Sequence, residues 1–207
     1  MIRIRGIMRV LHYFFYEGYE TLDIMGPIEM LGTLNENGEY FDVHYVSVEG
    51  GPIKSFQNFE IMTEALADVP APDIIVIPGG RASEEVAQSA GFMEALTPAL
   101  EHAEFVLTIC TGSLMVARSG LIDGLPSTTN KFVFDWVVGD YPAVDWQRSA
   151  RWVHAGKFYM SSGVSAGTDM ALAFVADQYG EDRAEYLVQM TEYIWSKDPA
   201  DDPFAKE

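Results

Sequence analysis

The sequence contains a single cysteine, Cys110, within the stretch FVLTICTGSLMVARSG. Apolar strand-forming residues precede Cys110 and a helical pattern follows it, so the thiol lies where a predicted strand turns into a predicted helix. Free N–H groups at a helix N-terminus favour a thiolate, and cysteines at such positions often have a depressed pKa. We therefore expect Cys110 to have a depressed pKa and to act as a nucleophile. The alternative is a space-filling role in the core, because cysteine is among the most frequently buried residue types.

The residues near Cys110 and the histidines limit the kinds of thiol chemistry that fit. Thr111 follows the thiol, whereas a Cys–His hydrolase needs a base within hydrogen-bonding reach. The four histidines are scattered along the chain, at His12, His44, His102 and His154. His12 lies in the middle of a predicted strand, where we expect a hydrogen-bonded core residue. No histidine pair has metal-ligand spacing, so neither a peptidase-type dyad nor a metal site is favoured.

A carboxyl group is the remaining candidate for proton transfer. Asp23 lies between the apolar residues Leu22 and Ile24 in the segment TLDIMGP. Burial would raise the pKa of Asp23, so that it can donate a hydrogen bond to a thiolate or a proton to a substrate. A helix N-cap is the competing interpretation, because Asp is a preferred cap residue and Pro27 is expected in the first helical turn.

Glycines follow two of the predicted strands. Gly79 and Gly80 end the strand DIIVIPGG, and Gly112 follows Thr111. Backbone N–H groups at these turns can form an oxyanion hole that stabilises developing negative charge. The spacing does not match a phosphate-binding loop. We therefore expect the three glycines to line a substrate site next to Cys110 and Thr111.

The composition is that of an ordinary globular chain with a strong negative charge. Among 207 residues, 13 Lys and Arg stand against 31 Asp and Glu, which gives a formal net charge of −18. A field of this sign repels nucleic acids and anionic membranes, so neither is expected as a partner. No apolar stretch reaches the ~18 residues of a membrane span, and the start MIRIRGIM lacks the apolar region of a signal peptide. A single cysteine also excludes an internal disulfide, so we expect a reducing, cytoplasmic location.

Strands and helices alternate along the chain without a linker. We predict strands at 8–16, 41–50, 73–80 and 104–110, hairpins at 52–65 and 150–163, and helices at 20–35, 82–103, 111–120, 131–138, 165–180 and 181–195. The repeated strand–helix units predict a three-layer α/β/α sandwich with a mostly parallel central sheet. We expect one domain over 1–207, with its core at about 8–195 and a polar surface tail at 196–207. Ligands bind at the carboxyl ends of such strands, so the loops 17–23, 78–80 and 110–112 should meet in one crevice.

Several segments together resemble the ThiJ/PfpI superfamily of class I glutamine-amidotransferase-like proteins, which have a flavodoxin-like fold. They are LDIMGPIEML, DIIVIPGG, TICTGSLMVARSGLIDG, STTN and SSGVSAGTDMAL. Within the superfamily, the Asp of L-D-x-x-G-P and the Cys-Thr-Gly corner are most similar to the isocyanide hydratase branch. Peptidase-like members carry Cys-His, and many glyoxalase-like members carry Glu near the position of Asp23. The chain departs from the hydratase pattern at Asn130 and Lys131, where a histidine and an aromatic residue are expected.

The resemblance implies hydration of an isonitrile to an N-formamide through a thioimidate on Cys110, with Asp23 as proton donor. Thr111 and the amides of Gly79 and Gly80 would stabilise developing charge, and neither a cofactor nor a metal would be needed. It also implies a small electrophilic substrate and a homodimer, for which Met25, Met30, Phe92 and Met93 are candidate surface residues unless they pack in the core. Two alternatives remain open: a thiol enzyme acting on reactive aldehydes such as methylglyoxal, and a non-catalytic binding or redox-sensing protein in which Cys110 is oxidised.

Overall fold

The computed structural model describes residues 8–205. The start of the chain, on which the prediction about a signal peptide rests, lies largely outside these residues. The strands are β1 (Arg9–Phe14), β2 (Phe41–Ser47), β3 (Gly51–Lys54), β4 (Glu60–Ala65), β5 (Ile74–Ile77), β6 (Phe105–Ile109), β7 (Pro126–Ser127), β8 (Asp145–Trp146), β9 (Trp152–Ala155) and β10 (Phe158–Ser161). The helices are α1 (Thr21–Leu34), α2 (Ser83–Gln88), α3 (Ala90–His102), α4 (Ser113–Ser119), α5 (Phe134–Asp140), α6 (Ala166–Tyr179) and α7 (Glu181–Thr191).

An eight-stranded sheet in the order β3-β4-β2-β1-β5-β6-β10-β9 forms the centre of the fold. All inner strands pair in parallel, whereas the edge strands β3 and β9 pair antiparallel with β4 and β10. The predicted α/β fold with a mostly parallel sheet is therefore confirmed, as are both hairpins. The chain reverses its direction of strand addition between β1 and β5, which is the kind of switch point where ligands bind.

Alternating side chains of β1 point to opposite faces of the sheet, and each face is covered by helices. Phe14 contacts Phe92 of α3, with ring centroids 5.7 Å apart. Leu11 has the opposite parity and shares a face with Phe105, whose ring contacts Phe174 of α6 at 5.3 Å. The helices α2, α3 and α4 pack with one another, and α1, α6 and α7 form the other group. The predicted three layers follow from this arrangement.

Several predicted helices differ in their boundaries. The helix predicted at 82–103 is two helices, because Ser89 adopts an extended conformation and its Oγ accepts a hydrogen bond from the Phe92 N–H at 3.4 Å. The helix predicted at 131–138 begins only at Phe134. Pro27 was expected in a first turn but lies inside α1, which begins at Thr21. Its missing N–H leaves the Asp23 carbonyl without its usual helical partner.

Helix α6 and the C-terminal tail also differ from expectation. The apolar spacing at 165–180 is typical of an amphipathic helix, yet nearly all of the N-terminal half of α6 is buried between the sheet, α1 and α7. The tail at 196–205 is polar as predicted, but it is docked rather than merely surface-bound, since Asp202 is buried. That residues 1–207 form a single domain stays a prediction.

The methionines and the phenylalanine considered for a dimer surface belong to the core. Met30 and Met93 are buried, and Met25 and Phe92 pack against the buried cluster. These four side chains therefore do not define a dimer surface. Within the part of the chain that the structure describes, no helix has the length and apolar character needed to cross a membrane.

His12 is fully buried on the face of the sheet that α3 covers, which confirms the predicted core position, but the predicted hydrogen bonding is wrong. Burial lowers its pKa to about 4, and the neighbouring His44 ring, 5.6 Å away, adds to this effect. The Pro70 backbone acts weakly in the opposite direction, and neither ring nitrogen reaches full hydrogen-bond geometry with a described residue. The folded protein therefore holds His12 neutral.

We predict that this histidine destabilises the fold in acid. The unfolded chain takes up a proton near pH 6.5 that folded His12 does not accept until about pH 4, so stability falls over this window by up to about 3 kcal/mol. Urea unfolding at about pH 7 and about pH 4.5 should show a smaller loss for His12→Gln than for the wild type. The same change at exposed His102 serves as the control, and equal losses in all three proteins would contradict the prediction.

Candidate active site

Cys110 lies at a strained turn between β6 and α4. Its φ of 58° is in the left-handed region, which non-glycine residues rarely adopt and which is common at functional sites. A 3₁₀ turn, Cys110–Gly112, leads into α4. Two buried hydroxyls, from Ser113 and Thr129, each donate to the Cys110 carbonyl at 3.1 Å. These hydrogen bonds hold the backbone in its strained conformation.

Glycines allow this turn to pack against the end of β5. A Cβ on Gly112 would lie 2.5 Å from the Ile77 carbonyl oxygen. A Cβ on Gly79 would lie 2.5 Å from the Thr111 nitrogen and 2.9 Å from Asp23 Oδ2. Any side chain at either position would push these backbones apart. The structure thus brings together Asp23, Gly79, Gly80, Thr111 and Gly112, as the convergence of strand ends predicted.

Asp23 is fully buried in the first turn of α1 and does not cap the helix, because the N-cap position is Glu20. Its Oδ2 accepts a hydrogen bond from the Gly79 N–H at 2.8 Å. Its Oδ1 has no nitrogen or oxygen partner among the described residues, and hydrogen bonding with the Cys110 thiol lowers the pKa of Asp23. Burial outweighs this effect and raises the pKa of Asp23 to about 7.

Besides Asp23, two residues direct hydrogen-bond donors at the sulfur of Cys110. The Asn130 side-chain amide lies 3.2 Å from Sγ and donates to it, and Thr111 contributes its backbone N–H and its hydroxyl. These donors stabilise a thiolate. The expected depression of the thiol pKa is nevertheless wrong, because burial and the negative charge of Asp23 raise the pKa of Cys110. The partial positive charge at the N-terminus of the short helix α4 does not offset the desolvation of the Cys110 thiolate.

The backbone amides predicted as an oxyanion hole are already engaged. The Gly79 N–H donates to Asp23, and the Gly80 N–H donates to the Thr111 hydroxyl at 3.1 Å. Both amides therefore position the acid and the threonine, which differs from the role expected of them. Donors directed at the sulfur come instead from Asn130 and Thr111.

Asn130 is the functional residue that sequence reasoning missed. Its Oδ1 accepts from the Phe132 N–H at 2.8 Å, which fixes the orientation of the amide and points Nδ2 at the sulfur. The sequence identifies Asn130 only as a departure from the hydratase pattern, and nothing in the segment STTN indicates a hydrogen bond to the sulfur. Buried Tyr16 was missed as well: its hydroxyl donates to the Pro78 carbonyl at 3.0 Å, and the charges of Asp23 and Cys110 contribute to its raised pKa.

A parallel α/β sheet with a cysteine at a strained strand-to-helix turn, beside a buried acid, defines a class of thiol-bearing proteins. The model of the DJ-1/PfpI family matches residues 8–177, and the chain belongs to this family. Among the described residues, no group of His, Cys, Asp and Glu side chains is arranged to hold a metal ion.

Relatives and solved structures agree with this placement. The chain is 27% identical to an isonitrile hydratase from Pseudomonas putida over 87% of this chain and 77% of that protein. It is 22% identical to the transcriptional regulator GbdR from Pseudomonas aeruginosa, over 87% of this chain but only 50% of the regulator. A ThiJ/PfpI family protein from Pseudomonas syringae superposes with a TM-score of 0.81 at 25% identity, covering 94% of this chain and 78% of that one. DJ-1beta from Drosophila melanogaster, at 16% identity, shares the fold with a TM-score of 0.78 over 91% of this chain and 100% of its own.

We predict that Asp23 lowers stability as the pH rises. The folded protein retains a proton on Asp23 up to about pH 7, whereas an unfolded Asp loses it near its ordinary value of 3.8. Stability therefore falls across this window, by up to about 4 kcal/mol. Asp23→Asn keeps an acceptor for the Gly79 N–H and carries no charge, so it should be more stable than the wild type at about pH 8 and lose most of this advantage near pH 4. Urea unfolding at both pH values tests this, and a constant difference would rule out Asp23 as the cause.

Proposed function

We propose that this protein is a cysteine-dependent hydro-lyase that adds water to an isonitrile and produces an N-formamide. The observation that supports it most strongly is the buried carboxyl of Asp23, with a pKa of about 7, placed against the thiol of Cys110. Such a carboxyl can accept and return a proton near neutral pH, which the addition of a thiol to an isonitrile carbon requires.

The thiol and the carboxyl act as a pair that shares a proton. Both pKa values are raised by burial; the charge of Asp23 further raises the pKa of Cys110, and the hydrogen bond with Cys110 lowers the pKa of Asp23, so the two groups titrate as a coupled system. After one proton is lost, the remaining proton lies on sulfur or on the carboxyl. The form with a thiolate and a protonated Asp23 holds a nucleophile and an acid at once, and the donors from Asn130 and Thr111 stabilise its sulfur.

The reaction then takes place in two balanced steps. In the first, Cys110 Sγ forms a bond to the terminal carbon of the isonitrile while the proton held by Asp23 passes to the same carbon, giving a thioimidate. In the second, water adds to that carbon, the nitrogen gains a proton, and the C–S bond breaks. The products are the N-formamide and the free thiol, whose proton returns through Asp23.

The similarity to an isonitrile hydratase supports this reaction over the alternatives. Asp occupies position 23, where Glu would favour a glyoxalase-like activity. The raised pKa of Cys110 argues against a redox sensor, because oxidation favours exposed thiolates. The regulators GbdR and CdhR are twice as long as the matched region, so the comparison with them extends to half of each. As the resemblance implies, we expect a homodimer acting on a small electrophile; the single cysteine favours a cytoplasmic location.

We predict that Cys110→Ala abolishes isonitrile hydration, whereas Asp23→Asn reduces kcat/KM by about 10²–10⁴-fold because it removes the proton carrier. Appearance of the formyl proton by NMR, with small alkyl isonitriles as substrates, provides the assay. Thr33→Ala, on the exposed side of α1, is the control variant. Unchanged turnover in Cys110→Ala would eliminate the thioimidate, and turnover of methylglyoxal in place of isonitriles would favour the glyoxalase-like alternative.

We also predict a rising limb in the pH profile. Because the doubly protonated pair has no nucleophile, kcat/KM should increase as the pH passes through about 7, where the pair loses its first proton. In Asp23→Asn this limb should move to higher pH, since only the thiol titrates. An identical limb in both proteins would mean that another group controls the reaction.

A further inference from the structure

A cavity of about 330 Å³ is bounded by the C-terminal tail. Asn130 lines this cavity and also donates to Sγ, and Leu22, next to Asp23, lines it too. Cys110 and Asp23 do not line the cavity themselves, but Asn130 and Leu22 link it to these reacting groups. Its remaining apolar wall comes from Phe132, Val164 and Phe204. Ligand pockets run from about 300 to 1,000 Å³, so this one suits a compact group.

The two cationic side chains that line the cavity, Arg151 and Lys131, already have hydrogen-bond partners within the protein. Arg151 donates to Asp169 Oδ2 from Nε at 2.8 Å and from a terminal nitrogen at 2.6 Å. The Lys131 ammonium donates to Thr128 Oγ1 at 2.6 Å and to the Ala150 carbonyl at 2.7 Å. Neither cation has its main donors free for a ligand carboxylate. The cavity thus offers apolar contact without a spare counter-charge, which disfavours an anionic group.

The tail is held against this cavity by Asp202. Its side chain is buried, its Oδ2 accepts a hydrogen bond from Ser162 Oγ, and its N–H donates to the Ser149 carbonyl at 2.9 Å. Its Oδ1 accepts from the Phe204 N–H at 2.9 Å. The Arg151 N–H donates to the Pro199 carbonyl at 2.8 Å, so the tail is also fixed on the N-terminal side of Asp202. Phe204 is thereby fixed at the rim.

We propose that this cavity binds the substituent of the substrate and that Phe204, positioned by Asp202, sets the largest substituent accepted. The assignment rests on the proposed function for the identity of the reacting group. The substrate class is then isonitriles with a compact, uncharged, apolar substituent. Phe204 acts as a specificity determinant and Asp202 as the residue that positions it.

Because the chain has a single cysteine, the role of Phe204 in the cavity wall can be tested by chemical modification of that cysteine. This test does not require catalytic activity. Because Cys110 is the only thiol in the sequence, second-order rate constants for its modification by N-ethylmaleimide and by N-cyclohexylmaleimide report access directly. Phe204 is 67% exposed, so Phe204→Ala should fold normally. We expect the variant to raise the cyclohexyl-to-ethyl rate ratio by about 5-fold or more, since a missing ring makes room for several methylenes.

Matched variants distinguish an effect of the Phe204 ring on access to Cys110 from a general perturbation of the structure. Asp202→Ala should shift the ratio in the same direction, and the double variant should add little, because both changes act through the position of Phe204. Phe59→Ala removes a half-exposed phenylalanine that does not line the cavity and should leave the ratio unchanged. Equal ratios in the wild type, Phe204→Ala and Asp202→Ala would overturn the inference.

Isonitriles with ethyl, cyclohexyl and carboxymethyl substituents then test the substrate class. In the wild type, kcat/KM should be at least ~10-fold lower for the carboxymethyl compound than for the ethyl one. In Phe204→Ala, the cyclohexyl compound should gain relative to ethyl. Efficient turnover of the carboxymethyl compound would overturn the assigned class. If no isonitrile is hydrated but the maleimide ratios shift as expected, the proposed function fails while the role of Phe204 stands.

Discussion

The strained turn at Cys110 is the constraint on which the rest of the site depends. A positive φ directs this residue away from the path of β6, and it persists because hydroxyls from α4 and from the loop after β7 hold its carbonyl. The turn can approach β5 only because Gly79 and Gly112 have no side chains. That approach places the Gly79 N–H where it binds Asp23. The acid, the thiol and the glycine turn are therefore positioned by a single close contact between neighbouring strand ends.

Burial of Asp23 and Cys110 shifts their proton affinities, on which the proposed chemistry depends, and it also lowers the stability of the fold. Removing Asp23 and Cys110 from water raises both pKa values, which disfavours their charged forms. An exposed thiol at a helix N-terminus would ionise more easily, but its carboxyl neighbour would then titrate well below neutral pH. A buried pair instead keeps one exchangeable proton available near pH 7. The proposed chemistry thus depends on two buried ionisable groups that lower the stability of the fold. Packing of the surrounding core must offset this loss.

The sequence was informative where a function depends on the sheet and uninformative where it depends on distant loops. Strand ends in a parallel sheet converge, so Asp23, Gly79 and Cys110 could be placed together from the pattern of apolar runs alone. The nearest glycine to the break at Ser89 is Gly91, which lies inside α3 and does not mark the boundary, and Pro27 was misplaced because helix boundaries are weakly encoded. The hydrogen bond from Asn130 and the direction of the thiol pKa depend on burial and on a loop outside the central sheet, which no local pattern specifies.

The two regions that differ most from the expected pattern meet in one place. Lys131 follows Asn130, and its ammonium bonds Thr128 and the Ala150 carbonyl, which ties the loop that carries Asn130 to the segment preceding β9. The C-terminal tail docks on that same segment, and the charge of Asp202 favours protonated Lys131. Burial lowers the pKa of Lys131 to about 8, so its charge depends on these neighbours. The sulfur donor, the cavity wall and the tail therefore form one connected unit. If the proposed function holds, changes in the tail should alter substrate choice without altering the strand ends that position the reacting groups.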